Sequence, residues 1–142
     1  MKMKTNRILL GGVTGGVLFF FLGWLIYGVL MMDYMTNNYN QCAMKPMEEM
    51  VWWALILSNL ASGFMLAFVF SWSNTKGWLA GAKVAGILGL LMYLSFDLSM
   101  YSMSTMFKNL GVLCVDIIVA TVFIAVVGSV IALVMGMGKQ EE

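Results

Sequence analysis

Three aspartates, Asp33, Asp97 and Asp116, each stand at one end of a long apolar stretch. Carboxylates that are brought together in a membrane repel one another and attract a proton or a cation. If the stretches are helices whose ends lie on the same side, the three aspartates could form such an ion or proton site. The alternative is that each aspartate only marks where its helix leaves the bilayer, with Lys45 or Lys108 as its counter-ion.

Methionine is the second residue type whose side chain could form a binding site. Two sets recur at a spacing of three: Met44, Met47 and Met50, and Met100, Met103 and Met106. On helices this spacing would align the thioethers on one face, and thioethers favour Cu(I) over hard ions. Methionine is also a flexible apolar filler, so a hydrophobic packing stripe is the interpretation that we favour over a metal site.

The absence of histidine, the small number of cysteines and the lack of catalytic motifs exclude several kinds of site. The chain has no histidine, which removes histidine base catalysis, histidine-ligated haem and the usual zinc sites. A disulfide between Cys42 and Cys114 is conceivable in an oxidising compartment, but two cysteines are too few for a zinc ribbon or an iron–sulfur cluster. No nucleophile-elbow, phosphate-loop or dinucleotide motif is present. We therefore expect a protein that is not an enzyme and has no cofactor.

The composition indicates a membrane protein. Of the 142 residues, 61% are hydrophobic and 11% are charged. Soluble domains average about 45–50% apolar and about 25% charged residues. A net charge of +1 without a basic block argues against nucleic-acid binding. The prediction is an all-α polytopic protein that forms one domain over residues 1–142, with the lipid bilayer as its surroundings.

The apolar stretches predict four transmembrane helices in a compact bundle, at about 8–32, 51–72, 78–97 and 112–137. A spanning helix needs about 20 residues. The third stretch is the shortest, because Lys83 and Asp97 enclose only residues 84–96. Asp97 must therefore lie at the interface, thin the bilayer or find a protein partner. Residues 98–107 are predicted as an interfacial extension, and the second helix is expected to begin near Pro46.

The polar residues between the spans indicate an orientation. Six basic residues would lie on the side of the two termini and two on the other side: Lys2, Lys4, Arg7, Lys76, Lys83 and Lys139 against Lys45 and Lys108. The positive-inside tendency then places both termini in the cytoplasm and the three aspartates outside. Asn59 falls near the middle of the second span, where another helix or its own backbone must satisfy it. We favour a structural role for Asn59 over a substrate contact.

Small residues four apart predict close helix packing. The pairs and triplets are Gly11/Gly15, Gly12/Gly16, Gly77/Gly81, Ala82/Gly86, Ala85/Gly89 and Gly128/Ala132/Gly136. Packing within the chain explains them as well as a homo-oligomer or a partner membrane protein does. The first functional hypothesis is therefore a structural or accessory membrane component. The alternative is a small transporter or ion-handling protein for protons, cations or Cu(I), which would use the aspartates and methionines.

A degenerate pattern of glycines and aromatics carries a family resemblance. It comprises Gly23, Trp24, Tyr27 and Gly28, then Gly81-Ala82 with Gly86, then Asn109 with Gly111. In this layout the chain resembles the small bacterial four-helix integral membrane proteins of domain-of-unknown-function family 1761. It departs from that family in having Leu90-Leu91-Met92-Tyr93 where an aromatic usually follows the third helix's glycines. The resemblance implies a multi-pass protein of the bacterial cytoplasmic membrane and transfers no catalytic or ligand residues.

Overall fold

The computed structural model describes residues 2–137, with side chains from Thr5 onward. Within that range the protein is helical and has no β-strand, which confirms the predicted all-α class. The α-helices are α1 (Lys2–Leu25), α2 (Met32–Asn38), α3 (Trp52–Trp72), α4 (Trp78–Met103) and α5 (Leu110–Gly136). A π-helical turn, Ile26–Leu30, continues α1. Four of the helices are long and apolar enough to cross a membrane, and α2 is a short helix in the first connection.

Two helix boundaries differ from the sequence prediction. The second long helix begins at Trp52 rather than near Pro46, because residues 41–49 form two separate 3₁₀ turns, Gln41–Ala43 and Met47–Glu49. Proline lacks an N–H and disfavours helical geometry in the residue before it. The third long helix does not stop at Asp97 but continues to Met103, where an extended Ser104 ends it. Residues 98–103 are thus part of the third helix itself.

Glycines bring the long helices into backbone contact at two crossings. Where α1 meets α3, a side chain on Gly63 would collide with backbone atoms of Gly12 and Gly16. Where α4 meets α5, Gly81 and Gly128 approach each other in the same way. Close approach of this kind strengthens van der Waals attraction between helices that have no hydrophobic drive to associate in lipid. These small-residue positions are therefore occupied by contacts within the chain.

The bundle has two unlike ends. Arg7, residues 74–77 and residues 132–137 surround one cavity of about 440 Å³, so both ends of the described chain and the α3–α4 turn lie together. We call this the terminal end. The loop end carries the connections at residues 31–51 and 104–109. Lys139, which the charge count used, lies outside the described residues.

Candidate functional site

Two of the three candidate aspartates meet at the loop end. Asp97 on α4 is 2% exposed and Asp116 on α5 is 8% exposed. The two carboxyl groups lie within hydrogen-bonding reach of each other. They come together because α4 and α5 run antiparallel and remain in contact over much of their length. Asp97 thus has a protein partner, which is one of the three arrangements that its position in a short apolar stretch left open.

Tyr39 completes the contact from the first connection. Its phenol Oη donates a hydrogen bond to Oδ1 of Asp116 at 2.8 Å, and the residue is 1% exposed. Tyr39 pairs with Phe107 in an isolated antiparallel bridge, and the ring centroids are 5.3 Å apart. Asn40 N also donates to Met106 O at 2.9 Å. The two connections at the loop end therefore contact each other and hold the phenol of Tyr39 against the carboxyl group of Asp116.

The environment of Tyr39 keeps its phenol protonated. Burial raises the pKa of Tyr39, and the hydrogen bond to Asp116 raises it further. A phenol of this kind is a hydrogen-bond donor over the whole physiological range. Tyr39 is thus a fixed donor beside the carboxyl pair.

Two further tyrosines face the pair from other elements. Tyr27 lies in the π-helical turn and Tyr93 lies one helical turn before Asp97, and both are within electrostatic range of both carboxyls. We name the five residues, Tyr27, Tyr39, Tyr93, Asp97 and Asp116, the carboxyl–tyrosine cluster. A π turn displaces the side chains of a helix from their regular positions, and such turns are frequent at functional sites.

No basic side chain in the described part of the chain acts on Asp97. Lys108, one of the two expected counter-ions, donates instead to the backbone oxygen of Asn37 at 2.6 Å, and Lys45 is exposed. The Oδ2 atom of Asp97 is buried without a hydrogen-bond partner among residues 2–137. A hydrogen bond between two carboxyl groups requires one proton. The geometry therefore suits a proton held between Asp97 and Asp116.

The third aspartate does not join them. Asp33 is exposed in the first turn of α2, a position where a carboxylate favours the helix N-terminus. The predicted three-carboxylate site is thus reduced to a pair. No group of three or more histidine, cysteine or acidic side chains that could hold a metal ion occurs among the described residues.

The methionines are not aligned as their spacing suggested. Met44, Met47 and Met50 do not share a helical face, because only a 3₁₀ turn flanked by extended residues forms there. On the other segment, Met103 is 73% exposed, whereas Met100 and Met106 pack around Tyr39 and Phe107. Met100, Met103 and Met106 are thus divided between packing and exposure.

The remaining candidates from the sequence are the two cysteines and Asn59. Cys42 and Cys114 are both free and exposed, so no disulfide joins them. Asn59 donates from its side-chain nitrogen to the backbone oxygen of Leu55 at 2.7 Å. Its own helix therefore satisfies the amide, which is one of the two arrangements that its place in the span required.

A cavity of about 370 Å³ adjoins the cluster between α1 and the segment that leads into α3. Its walls are aromatic rings and methionine side chains, and Tyr27 and Tyr93 belong both to the wall and to the cluster. Met44, Met47 and Met50 all line it. The first methionine set thus surrounds an apolar space.

The three tyrosines were not predicted from the sequence. Tyr93 could have been found, since it stands four residues before Asp97 and so shares its helical face. Tyr39 gave no local signal, because 77 residues separate it from Asp116.

Comparison with protein-family models, with curated proteins and with solved structures found no match to this chain. The resemblance to a four-helix family stays a prediction, and the function has to be argued from the site.

Proposed function

We propose that the protein is a small ion-handling membrane protein in which the Asp97–Asp116 pair takes up and releases a proton. The observation that carries the proposal is the burial of two adjacent carboxyls without a basic counter-ion in the described part of the chain. The pair lies at the loop end, where Tyr39 from the first connection contacts Asp116. We propose that the proton exchanges with water on that side.

The free-energy cost of the pair supports this proposal. An acidic residue within a spanning helix costs about 3 kcal/mol on insertion scales. Replacing buried ionic groups with well-packed apolar residues is often neutral or stabilising. Two carboxyls that only held helices together would thus be a poor solution, whereas groups that bind and release a proton must be ionisable.

The first hypothesis from the sequence, a structural or accessory component, depends on the small-residue faces. At the α1–α3 and α4–α5 crossings those faces contact each other within one chain. The contacts at these two crossings need no outside partner, and the carboxyl pair becomes the most informative feature. With the orientation that the charge count predicts, the loop end faces away from the cytoplasm, and the surrounding membrane is that of a bacterial cell.

The test is proton flux into proteoliposomes that contain the purified chain and an imposed pH gradient. Wild-type protein should dissipate the gradient faster than empty liposomes, and Asp97→Asn should abolish the difference. Asp33→Asn is the matched control, because it makes the same change at an exposed aspartate outside the cluster. Equal flux in wild type and Asp97→Asn, with both proteins folded, would contradict the proposal.

A further inference from the structure

The cavity beside the cluster offers a combination of shape and charge that the proton site does not use. Its volume of about 370 Å³ lies in the range of small-molecule sites, which is roughly 300–1,000 Å³. Rings of Trp24, Trp52 and Tyr93 are among its walls. Aromatic faces of this kind attract cations within about 6 Å of the ring centre.

The polar groups at this wall include two oxygens that could accept a hydrogen bond, those of Tyr27 and Asn59. The phenol oxygen of Tyr27 is buried with no hydrogen-bond partner among the described residues. Asn59 has committed its side-chain nitrogen to Leu55, which leaves its carbonyl oxygen as an acceptor. A buried polar atom without a partner is costly, so a ligand that donates to Tyr27 would remove that cost.

The electrostatics select the sign of the ligand's charge. Asp97 and Asp116 are within electrostatic range of Tyr27 and Tyr93, which line the cavity. No lysine or arginine of the described chain lines the cavity. Acidic groups near an aromatic wall favour a cation and disfavour an anion.

We infer that this cavity binds a lipophilic amine, with its apolar body among the aromatic and methionine side chains and its ammonium group toward Tyr27. The inference deepens the proposed function, on which it rests for the ionisable pair near the wall. The amine would enter with a positive charge near the carboxyl pair, so its binding and the proton of the pair would compete.

The experiment uses three probes with one apolar cage, namely adamantan-1-amine, adamantan-1-ol and adamantane-1-carboxylate. Binding to the full chain in lipid nanodiscs is read from tryptophan fluorescence, since two tryptophans line the cavity, with empty nanodiscs as the partition control. The amine should bind at least about 10-fold more tightly than the alcohol, and the carboxylate most weakly.

Two variants locate the site. Tyr27→Phe keeps the ring and removes the phenol oxygen, so it should weaken amine binding roughly 10-fold and alcohol binding by less, because a neutral O–H is a weaker donor than an ammonium group. Gly23→Leu should block all three probes, because a side chain there has room beside Phe123 and would fill the cavity. Gly86→Leu is its matched control, with comparable room next to Ala125 and no part in the cavity wall.

Equal affinity for all three probes, or amine binding that Gly23→Leu does not reduce, would overturn this inference. Either result would leave the proton proposal standing, because proton flux is measured without any probe. Conversely, amine binding that is selective but unchanged in Asp116→Asn would support the cavity as a cation site and overturn its linkage to the carboxyl pair.

Discussion

The terminal half and the loop half of the bundle use opposite packing. In the terminal half, glycines bring helix backbones together, as Gly63 does against Gly12 and Gly16. In the loop half, large side chains, a π turn and two 3₁₀ turns replace regular helix contact, and a carboxyl pair and a cavity lie between them. Backbone contact leaves no space for a ligand, whereas irregular segments do. The first half therefore stabilises the bundle and the second provides the chemistry.

We expect the largest loss of stability from a substitution at the glycine crossing between α1 and α3. Gly63→Leu places a side chain against the backbone of α1, which cannot move aside, so it should destabilise the protein by about 3 kcal/mol or more. Denaturant unfolding in detergent, followed by tryptophan fluorescence, measures the loss. Gly86→Ala, where the nearest atom would be 3.5 Å away, is the control and should change stability by less than about 0.5 kcal/mol. Similar stability of the two variants would contradict the division into halves.

In the loop half, the largest single effect should come from the phenol. Tyr39→Phe removes the donor to Asp116 and leaves a buried carboxyl oxygen without its partner, which costs about 2 kcal/mol. The same unfolding measurement tests this. The double variant Tyr39→Phe with Asp116→Leu is the matched control, because it removes both polar groups and should recover part of the loss. No recovery would contradict the assignment of the loss to the unpaired carboxyl oxygen of Asp116.

High pH should lower the stability of the loop half through Tyr39. The pKa of Tyr39 is raised in the folded protein, whereas an unfolded tyrosine ionises near pH 10. The folded state thus keeps a proton that the unfolded state loses, and stability falls as the pH rises above about 10. Below that pH the contribution is fully present. The stability difference between wild type and Tyr39→Phe should therefore shrink from about pH 10 to about pH 12. A constant difference would contradict the raised pKa.

We expect the smallest loss of stability for Asp33, which lies outside the carboxyl–tyrosine cluster. Asp33→Asn removes one exposed charge from the first turn of α2, so it should cost at most about 0.5 kcal/mol. A loss comparable with that of Tyr39→Phe would mean that Asp33 belongs to the cluster. The unfolding midpoint of this variant gives the comparison directly.

The long helices could be predicted because each depends on local composition. Hydropathy alone gives the four spans, and the shortness of residues 84–96 identified Asp97 as the aspartate that needs a partner. The partner itself, Asp116, was one of several candidates. Its selection depends on how α4 and α5 pack, which no single segment encodes.

The connections could not be predicted in the same way. The methionine spacing assumed a helix at residues 44–50, where the chain instead forms short turns around Pro46. The contact of Tyr39 with Asp116 depends on a bridge between two loops, and such a bridge leaves no periodic trace in the sequence. The phenol of Tyr27, which has no hydrogen-bond partner among residues 2–137, lies in the π turn, and the sequence gives no signal for that interruption of a regular helix.

The central claim is that Asp97 and Asp116 hold a proton that can be removed. Difference infrared spectroscopy of the purified protein in lipid, across a pH step, measures the C=O stretch of a protonated carboxyl. We expect this band to disappear as the pH rises in wild type and in Asp33→Asn. We also expect a shifted or absent band in Asp97→Asn and in Asp116→Asn. A wild-type spectrum without the band at any pH, or a band that both cluster variants leave unchanged, would contradict the central claim.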